Sequence, residues 1–219
     1  MLKAQGLKKS YGALNVLKGV DIQVGEGEVV AIVGASGAGK STLLHLLGTL
    51  DSPDHGEVWM NGENIFKKST KELADFRNRN MGFVFQFHNL LPEFSALENV
   101  MIPGLIGKND PDAVKTKATE LLVSLGLQHR LHHKPSEMSG GEQQRTAVAR
   151  ALVNSPKIVF ADEPSGNLDS KNAAELHQLF LKLRDERKHT FVIVTHNLEF
   201  AAMANRKLEI RDGVMLRED

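Results

Sequence analysis

A short apolar run that ends in a glycine-rich loop limits the folds open to this chain. Residues 28–33 read EVVAIV, which is typical of a strand buried on both faces of a parallel sheet. Residues 34–41 then match G-x-x-x-x-G-K-[ST] at every fixed position, and apolar helix residues follow at 43–47. Similar apolar runs stand at residues 157–161 and 190–195. The sequence therefore predicts an α/β fold built on a parallel sheet.

The loop after the first run has the composition of a phosphate-binding loop. Glycine lets backbone N–H groups curve around a phosphate, and the start of the following helix adds positive potential. In such a loop Lys40 contacts the β- and γ-phosphates and Ser41 binds Mg²⁺. The alternative, a glycine-rich turn with a chance lysine, leaves the flanking strand and helix unexplained. The predicted nucleotide-binding residues here are Gly34, Ala35, Ser36, Gly37, Ala38, Gly39, Lys40, Ser41 and Thr42.

The segments outside this core have different patterns. Asn61-Gly62 and Asp212-Gly213 are hairpin signals within residues 57–65 and 208–216. Together with the first ~25 residues, which alternate as strands do, both hairpins predict an antiparallel layer. Residues of roughly 70–150 have helical periodicity and predict a helical insertion. One domain is expected over residues 1–219.

Composition argues against several classes of function. Lys and Arg together number 27, as do Asp and Glu, so the net charge is zero and gives no support for a general affinity for nucleic acid. The absence of cysteine excludes disulfides and thiolate metal sites. No run approaches the roughly 18 apolar residues of a membrane span. We therefore expect a soluble protein that reaches a membrane only through a partner.

Two adjacent acids end the second apolar run. Because parallel strands present their carboxyl ends at one sheet edge, Asp162 and Glu163 are expected near Lys40. Asp162 is predicted to hold Mg²⁺, directly or through water, and Glu163 to polarise an attacking water. The alternative is an acidic cap on a loop.

A second candidate anion site opens a predicted helix at Ser139, Gly140 and Gly141. The hydroxyl, the flexible glycines and the helix N-terminus together favour an anion. One nucleotide does not need two such sites from one chain, so two chains arranged head to tail are predicted. The alternative is an ordinary helix cap followed by a tight turn.

In this order and spacing, the segments resemble the ATP-binding subunits of ABC transporters over essentially the whole chain. The likeness includes Gln86, the signature at residues 139–145, residues 167–169 and His196. It implies a P-loop NTPase domain of the ABC type, with a parallel core sheet, an antiparallel β layer and a helical insertion. The implied ligands are ATP and Mg²⁺.

The resemblance also implies roles for single residues. Tyr11 would stack on adenine, and Gln86 would contact Mg²⁺ or the lytic water. His196 would hold the γ-phosphate, and Asp169 would communicate between sites. The signature residues expected to act in trans are Ser139, Gly140, Gly141 and Glu142. Met138 and Glu142 depart from the commonest residues of the family, which are leucine and glutamine.

Within the family the likeness is closest to the ATP-binding subunits of lipoprotein-releasing systems. It is carried by residues 82–94, 97–103, 133–137, 149–156 and 163–169. It implies a homodimer that forms on ATP binding at the cytoplasmic face of the bacterial inner membrane, with two integral membrane subunits and no nucleic acid. ATP hydrolysis would drive the extraction of lipoproteins. ATPases of the cell-division and macrolide-export types share several of these segments and are the alternative.

The segment 87–94 has two interpretations. Its apolar residues could belong to the core of the insertion, which is the usual role of such a spacing. In the family this region lines a groove for a short helix of the membrane subunit, and exposed apolar patches often mark a partner. We favour the groove. Its apolar residues are Phe87, Leu90, Leu91 and Phe94.

Two other classes of protein fit the sequence less well. A soluble ABC-type ATPase acting on nucleic acid usually carries two cassettes or a long coiled-coil insertion, and this chain has neither. A P-loop kinase or GTPase would not need the Ser-Gly-Gly segment, and the guanine-selecting Asn-Lys-x-Asp is absent.

Overall fold

Two sheets organise the chain in the computed structural model, which describes residues 1–218, with side chains as far as residue 216. An antiparallel sheet has the order β2-β1-β4-β5, formed by β1 (Leu2–Tyr11), β2 (Leu14–Val24), β4 (His55–Met60) and β5 (Glu63–Asn64). The second sheet has the order β10-β9-β3-β8-β7-β6. Its strands are β3 (Val29–Val33), β6 (Met81–Phe85), β7 (Ile158–Asp162), β8 (Thr190–Val194), β9 (Arg206–Arg211) and β10 (Val214–Glu218).

Helices cover the second sheet and form the insertion. They are α1 (Lys40–Leu47), α2 (Thr70–Asn80), α3 (Ala96–Ile106), α4 (Pro111–Ser124), α5 (Gly140–Leu152), α6 (Ser170–Arg187) and α7 (Leu198–Met203). Three of them, α2, α3 and α5, begin at a serine whose hydroxyl accepts from a backbone N–H, and a glutamate three residues later completes the capping box. Local sequence therefore sets these helix starts. Among residues 1–218, no helix has the length and apolar character needed to cross a bilayer.

The three apolar runs form β3, β7 and β8, as predicted, and pair in parallel. Successive side chains of β3 enter different cores. Val30 and Ile32 pack with α1 and the antiparallel sheet, whereas Val29 packs with α3 to α6. Leu43 and Leu44 of α1 are fully buried, and each such leucine contributes about 1.5–3 kcal/mol of stability. This packing holds α1, and the loop before it, at the carboxyl edge of the parallel sheet.

The helical insertion is interrupted by a strand that the sequence analysis did not predict. Residues 81–85 form β6, which pairs in parallel with β7 from Met81 opposite Ile158 to Phe85 opposite Asp162. A five-residue apolar run inside a helical pattern has too few positions for its periodicity to separate strand from helix. The consequence is functional, because β6 carries the chain to Gln86 at the same sheet edge.

The C-terminal hairpin is correctly predicted but belongs to the other sheet. Asp212 and Gly213 have φ values of 48° and 81°, as a two-residue hairpin turn requires. However, β9 pairs in parallel with β3, and only β10 is antiparallel to its neighbour. The expectation of an antiparallel layer containing both hairpins is therefore wrong for this one. Turn chemistry is local, whereas the choice of sheet depends on the crossover through α7 that returns the chain beside β3.

Candidate functional site

The loop between β3 and α1 curves around the ammonium group of Lys40. Nζ of Lys40 donates to the carbonyl oxygens of Gly34 and Ala35, both at 3.0 Å, and the side chain is buried. Gly37 and Gly39 have φ values of 77° and 102°, in the region that favours glycine. A Cβ on Gly34 would lie 2.2 Å from the carbonyl oxygen of Ile210. The loop therefore needs its glycines and holds a cation at its centre.

Oxygen donors suited to Mg²⁺ meet beside this loop. Oγ of Ser41 donates to Oδ1 of Asp162 at 3.0 Å, so the first turn of α1 contacts the end of β7. A hydroxyl and a carboxylate are ligands that Mg²⁺ accepts, and the two residues fit the ion in chemical type. His45 lies one turn after Ser41, with Nε2 4.0 Å from Oδ2 of Asp162. Its place among apolar residues in the sequence favours a packing role for His45, but the spacing of four residues places it on the same helix face as Ser41.

Glu163 is a candidate proton acceptor next to His196. Its Oε2 accepts a hydrogen bond from the backbone N–H of His196 at 3.1 Å. Its Oε1 lies 3.0 Å from Nε2 of His196 but accepts no well-aligned hydrogen bond within the described residues. Burial raises the pKa of Glu163, although the backbone N–H of His196 and the charge of Lys40 oppose the rise. A largely buried carboxylate with a raised pKa and one oxygen that lacks an aligned hydrogen bond is suited to take a proton from water.

Gln86 is tied to the segment that follows Glu163. Its Nε2 donates to Oδ1 of Asn167 at 3.1 Å, and Nδ2 of Asn167 donates back to the carbonyl oxygen of Gln86 at 3.2 Å. A Cβ on Gly166 would lie 2.8 Å from Nε2 of Gln86. Gln86, Glu163 and His196 line one cleft of about 680 Å³. No pattern in the sequence pairs Gln86 with Asn167, because the two are 81 residues apart.

The signature packs against the start of α6 within the same chain. Ser139 caps α5, and Asp169 caps α6 by accepting from the backbone N–H of Asn172 at 3.0 Å and from its side chain at 2.6 Å. A Cβ on Gly141 would lie 2.2 Å from Oδ1 of Asn172, so this contact needs glycine. Asp169 therefore adjoins the signature of its own chain.

The carboxylate of Glu142 is engaged within its own chain. Oε2 accepts from the backbone N–H of Ser139 at 2.8 Å, and Oε1 accepts from Nε of Arg130 at 2.8 Å. Nε2 of His129 lies 3.5 Å from Oε1. Although burial opposes the fall, these hydrogen bonds lower the pKa of Glu142 from 4.5 to about 2. Its carboxylate therefore stabilises the start of α5 and the position of the signature.

Replacing Arg130 by methionine is expected to lower the free energy of unfolding by about 1–3 kcal/mol at pH 7, because Glu142 loses a partner while largely buried. The lowered pKa means that the pair stabilises the fold above pH 4.5 and that this stabilisation is lost as the pH falls toward about 2. Denaturant unfolding over a pH series measures the effect. Adding Glu142→Gln to Arg130→Met should restore part of the loss, and a double variant no more stable than Arg130→Met alone would contradict the pairing.

The predicted site residues fall into two groups. Lys40, Ser41, Asp162, Glu163 and His196 gather at the carboxyl edge of the parallel sheet, since each follows or ends a strand there. Among the hydrogen bonds and ion pairs of the described chain, none joins residues 139–142 to residues 34–42. One chain therefore presents a phosphate loop and a signature as two unconnected surfaces.

Comparison with known proteins identifies the family of this chain. The sequence model of the ABC transporter family matches residues 17–166. The lipoprotein-releasing system ATP-binding protein LolD of Cytophaga hutchinsonii is 58% identical over 216 residues, which is 99% of each chain. The protein of the same name from Bacteroides thetaiotaomicron is 53% identical over 218 residues, covering 100% of both chains.

Solved structures agree with the fold. The dimeric ATP-binding cassette MJ0796 bound to ADP and Pi superposes with a TM-score of 0.91 at 39% identity, covering 100% of this chain and 98% of that one. CbiO1 of Clostridium perfringens, part of the cbiONQ transporter complex, has a TM-score of 0.89 at 27% identity, covering 99% and 87% of the two chains. With the phosphate loop, the acid pair and the signature in place, this chain is a member of the ABC transporter family and has the fold of its ATP-binding cassette.

Proposed function

We propose that this chain is the ATP-hydrolysing subunit of a complex that releases lipoproteins from the bacterial inner membrane. The observation that carries the reaction is the largely buried carboxylate of Glu163, whose Oε1 lies beside His196 without an aligned hydrogen bond within the described residues. The cargo is inferred from relatives named as lipoprotein-releasing that match this chain from end to end. ATPases of the cell-division and macrolide-export types are the alternative.

The phosphate loop and its neighbours would bind ATP. Lys40 exchanges its bonds to the loop carbonyls for the β- and γ-phosphate oxygens, which are stronger acceptors because they are charged. The half-exposed ring of Tyr11 stacks on adenine. Ser41, Asp162 and Gln86 would hold Mg²⁺, which when bound offsets the negative charge of the phosphates. The amide nitrogen of Gln86 is bonded to Asn167, so its amide oxygen is the atom available to a metal.

Hydrolysis would use Glu163 and His196. Oε1 of Glu163 accepts a proton from the attacking water, and burial keeps the carboxylate basic enough to do so. His196 orients this carboxylate through its backbone N–H and can turn its exposed ring to the γ-phosphate. The backbone N–H of His196 and the charge of Lys40 are in place before the reaction begins. Groups that need not reorganise during the reaction are the usual source of electrostatic catalysis.

Two copies of the chain would complete the site. The surface carrying Ser139, Gly140 and Gly141 is separate from the phosphate loop of its own chain, so it is free to cover the γ-phosphate held by a partner. Asp169 adjoins the signature, and its neighbours Leu168 and Ser170 line the cleft of Glu163. This position suits communication between the two sites. ATP favours the closed pair because it is bound by both surfaces, and loss of the γ-phosphate reopens the pair. The two solved MJ0796 cassettes that this chain resembles are described as dimeric.

The membrane subunits would dock on the cleft beside β6. This cleft, of about 460 Å³, is lined by apolar side chains that include Phe83, Phe85 and Ile106. Arg77 and Arg150 also line it, and neither forms an ion pair within the described residues. An apolar helix with an acidic residue, from LolC-like and LolE-like subunits at the cytoplasmic face, suits this lining.

The predicted groove residues lie next to this cleft instead of inside it. Phe87, Leu91 and Phe94 are 73%, 44% and 42% exposed, and of residues 87–94 only Asn89 lines the cleft. The chain turns away at His88 and Asn89, which have positive φ values, and Arg150 holds their carbonyl oxygens. The docking surface proposed here is therefore the cleft together with the apolar residues at its edge.

The test of this function is an affinity pull-down of the Glu163→Gln protein with ATP from detergent-solubilised membranes, read by mass spectrometry. Recovery of two related membrane proteins with large periplasmic domains, together with lipoproteins, is the expected result. Recovery of a single cell-division or export permease would keep the ATPase assignment and overturn the cargo.

Ile106→Asp and Leu91→Asp, made in the same protein, are expected to reduce recovery of the membrane subunits at least tenfold, because each places a charge on the docking surface. Leu198→Asp is the matched control, since Leu198 is 69% exposed on α7. Recovery that is unchanged by Ile106→Asp, or lost equally with Leu198→Asp, would remove the assignment of this surface.

A further inference from the structure

Tyr11 is anchored by two charged residues that have no assigned role. Its phenol donates to Oδ2 of Asp51 at 2.6 Å. Oδ1 of the same carboxylate accepts from Nζ of Lys9 at 2.8 Å, and Nζ also donates to the carbonyl oxygen of Ser52 at 2.7 Å. Lys9 is largely buried, and its Nζ stands 5.2 Å from the centroid of the Tyr11 ring. Three side chains therefore form one connected cluster.

The cluster joins the two segments that flank the phosphate loop. Lys9 and Tyr11 lie at the end of β1, and Asp51 follows α1, the helix that begins with Lys40. The two segments are about 40 residues apart in sequence, so the bonds between them are tertiary. The bond to Asp51 holds the hydroxyl of Tyr11, and strand β1 holds its backbone. The ring is therefore fixed relative to the phosphate loop.

The geometry also leaves one face of the ring open. The ammonium of Lys9 stands over the ring, and yet Tyr11 is 50% exposed. A cation on one face of an aromatic ring is attractive, and it leaves the opposite face for another flat group. A nucleobase is such a group, since every base has a flat π face that can stack on an aromatic side chain.

We propose that Asp51, held in place by Lys9, is a positioning residue that orients Tyr11 as the stacking surface for the base of the bound nucleoside triphosphate. The proposal rests on the proposed role of Tyr11. Holding the ring before the nucleotide arrives removes the cost of ordering it on binding, which is about 0.5–1.5 kcal/mol for one side chain. Asp51 itself touches neither the base nor the phosphates in this arrangement.

The first test compares Mg-ATP with magnesium tripolyphosphate, which has no base, by calorimetry. Asp51→Ala and Tyr11→Phe should each weaken ATP binding about 2- to 12-fold and leave tripolyphosphate binding unchanged. The losses of the two single variants should be less than additive in the double variant, because both remove the hydrogen bond between Tyr11 and Asp51. Unchanged tripolyphosphate binding also shows that the phosphate loop remains folded.

The second test is spectroscopic. The chain contains one tyrosine, so an absorbance titration of phenolate formation reports Tyr11 alone. The hydrogen bond to Asp51 raises the pKa of this phenol, and Asp51→Ala should lower it toward the ordinary value. Asp54→Ala is the control, because Asp54 lies in the same loop and accepts from the backbone N–H of Ser10, not from the phenol.

The outcomes distinguish base stacking by Tyr11 from positioning of that ring by Asp51. If Tyr11→Ala leaves ATP binding unchanged, the base-stacking role fails. If Tyr11→Ala weakens ATP binding while Asp51→Ala does not, stacking stands and the positioning role is overturned. Equal losses in Asp51→Ala and Asp54→Ala, or equal losses for ATP and tripolyphosphate, would assign Asp51 to loop stability and also overturn the proposal.

Discussion

Replacing Glu163 by glutamine is expected to lower the rate of ATP hydrolysis about 10²–10⁴-fold while ATP remains bound. Glutamine keeps the size of the side chain but cannot accept a proton at Oε1, the buried oxygen that lies next to His196. The residues around the phosphates are untouched, so the affinity for ATP should be retained. The closed dimer should accumulate, because the step that reopens it is blocked.

Phosphate release and sedimentation velocity with ATP measure the two effects together. Glu120→Gln is a matched control, since Glu120 is an exposed carboxylate on α4 and does not line the cleft of Glu163. A near-normal rate in Glu163→Gln would exclude Glu163 as the base. In the unmodified protein only the deprotonated form of Glu163 can act as the base. Because the pKa of Glu163 is raised, the rate of ATP hydrolysis should begin to fall at a higher pH than it would with an ordinary carboxylate.

Replacing Lys40 by alanine is expected to weaken ATP binding about 100-fold or more. The ammonium lies inside the phosphate loop with two carbonyl acceptors, and a hydrogen bond to a charged group is worth about 1.5–3 kcal/mol. Two such bonds to phosphate oxygens would be lost together. The backbone N–H groups of the loop remain, so residual binding of ATP should be detectable at high concentration.

Calorimetric titration with Mg-ATP measures this loss, and thermal unfolding shows whether the variant is folded. Lys115→Ala is the control, because Lys115 is an exposed lysine on α4, far along the chain from the loop. ATP affinity retained in Lys40→Ala would mean that residues 34–42 are not the main phosphate site.

The two variants separate binding from chemistry. Lys40→Ala should prevent both ATP-dependent dimerisation and hydrolysis, whereas Glu163→Gln should prevent hydrolysis only. Variants at Asp51 should change neither the binding of the phosphates nor the rate of the chemical step. They should reduce only the contribution of the base to the affinity for ATP. The three residues lie on different segments of the chain, so their effects should be measurable independently.

Local chemistry accounts for what could be predicted from the residues. The phosphate loop depends on glycines at fixed positions, the start of α5 on Ser139, and the hairpin turn on Asp212-Gly213. Each of these needs only residues within a few positions of one another, so the sequence displays the whole requirement. The resemblance to ABC cassettes added roles that spacing alone could not assign.

The phosphate loop, the acid pair, the three core strands and the start of α5 could be predicted from the residues, because each depends on neighbouring positions, and the family followed from the order of those segments. Three features became visible in the folded chain alone: residues 81–85 form an edge strand, the last hairpin joins the parallel sheet, and Glu142 pairs with Arg130. The tertiary structure alone also joined Gln86 to Asn167 and Tyr11 to Asp51. These are contacts between distant segments, and their geometry depends on how sheets and helices pack, which no short pattern encodes.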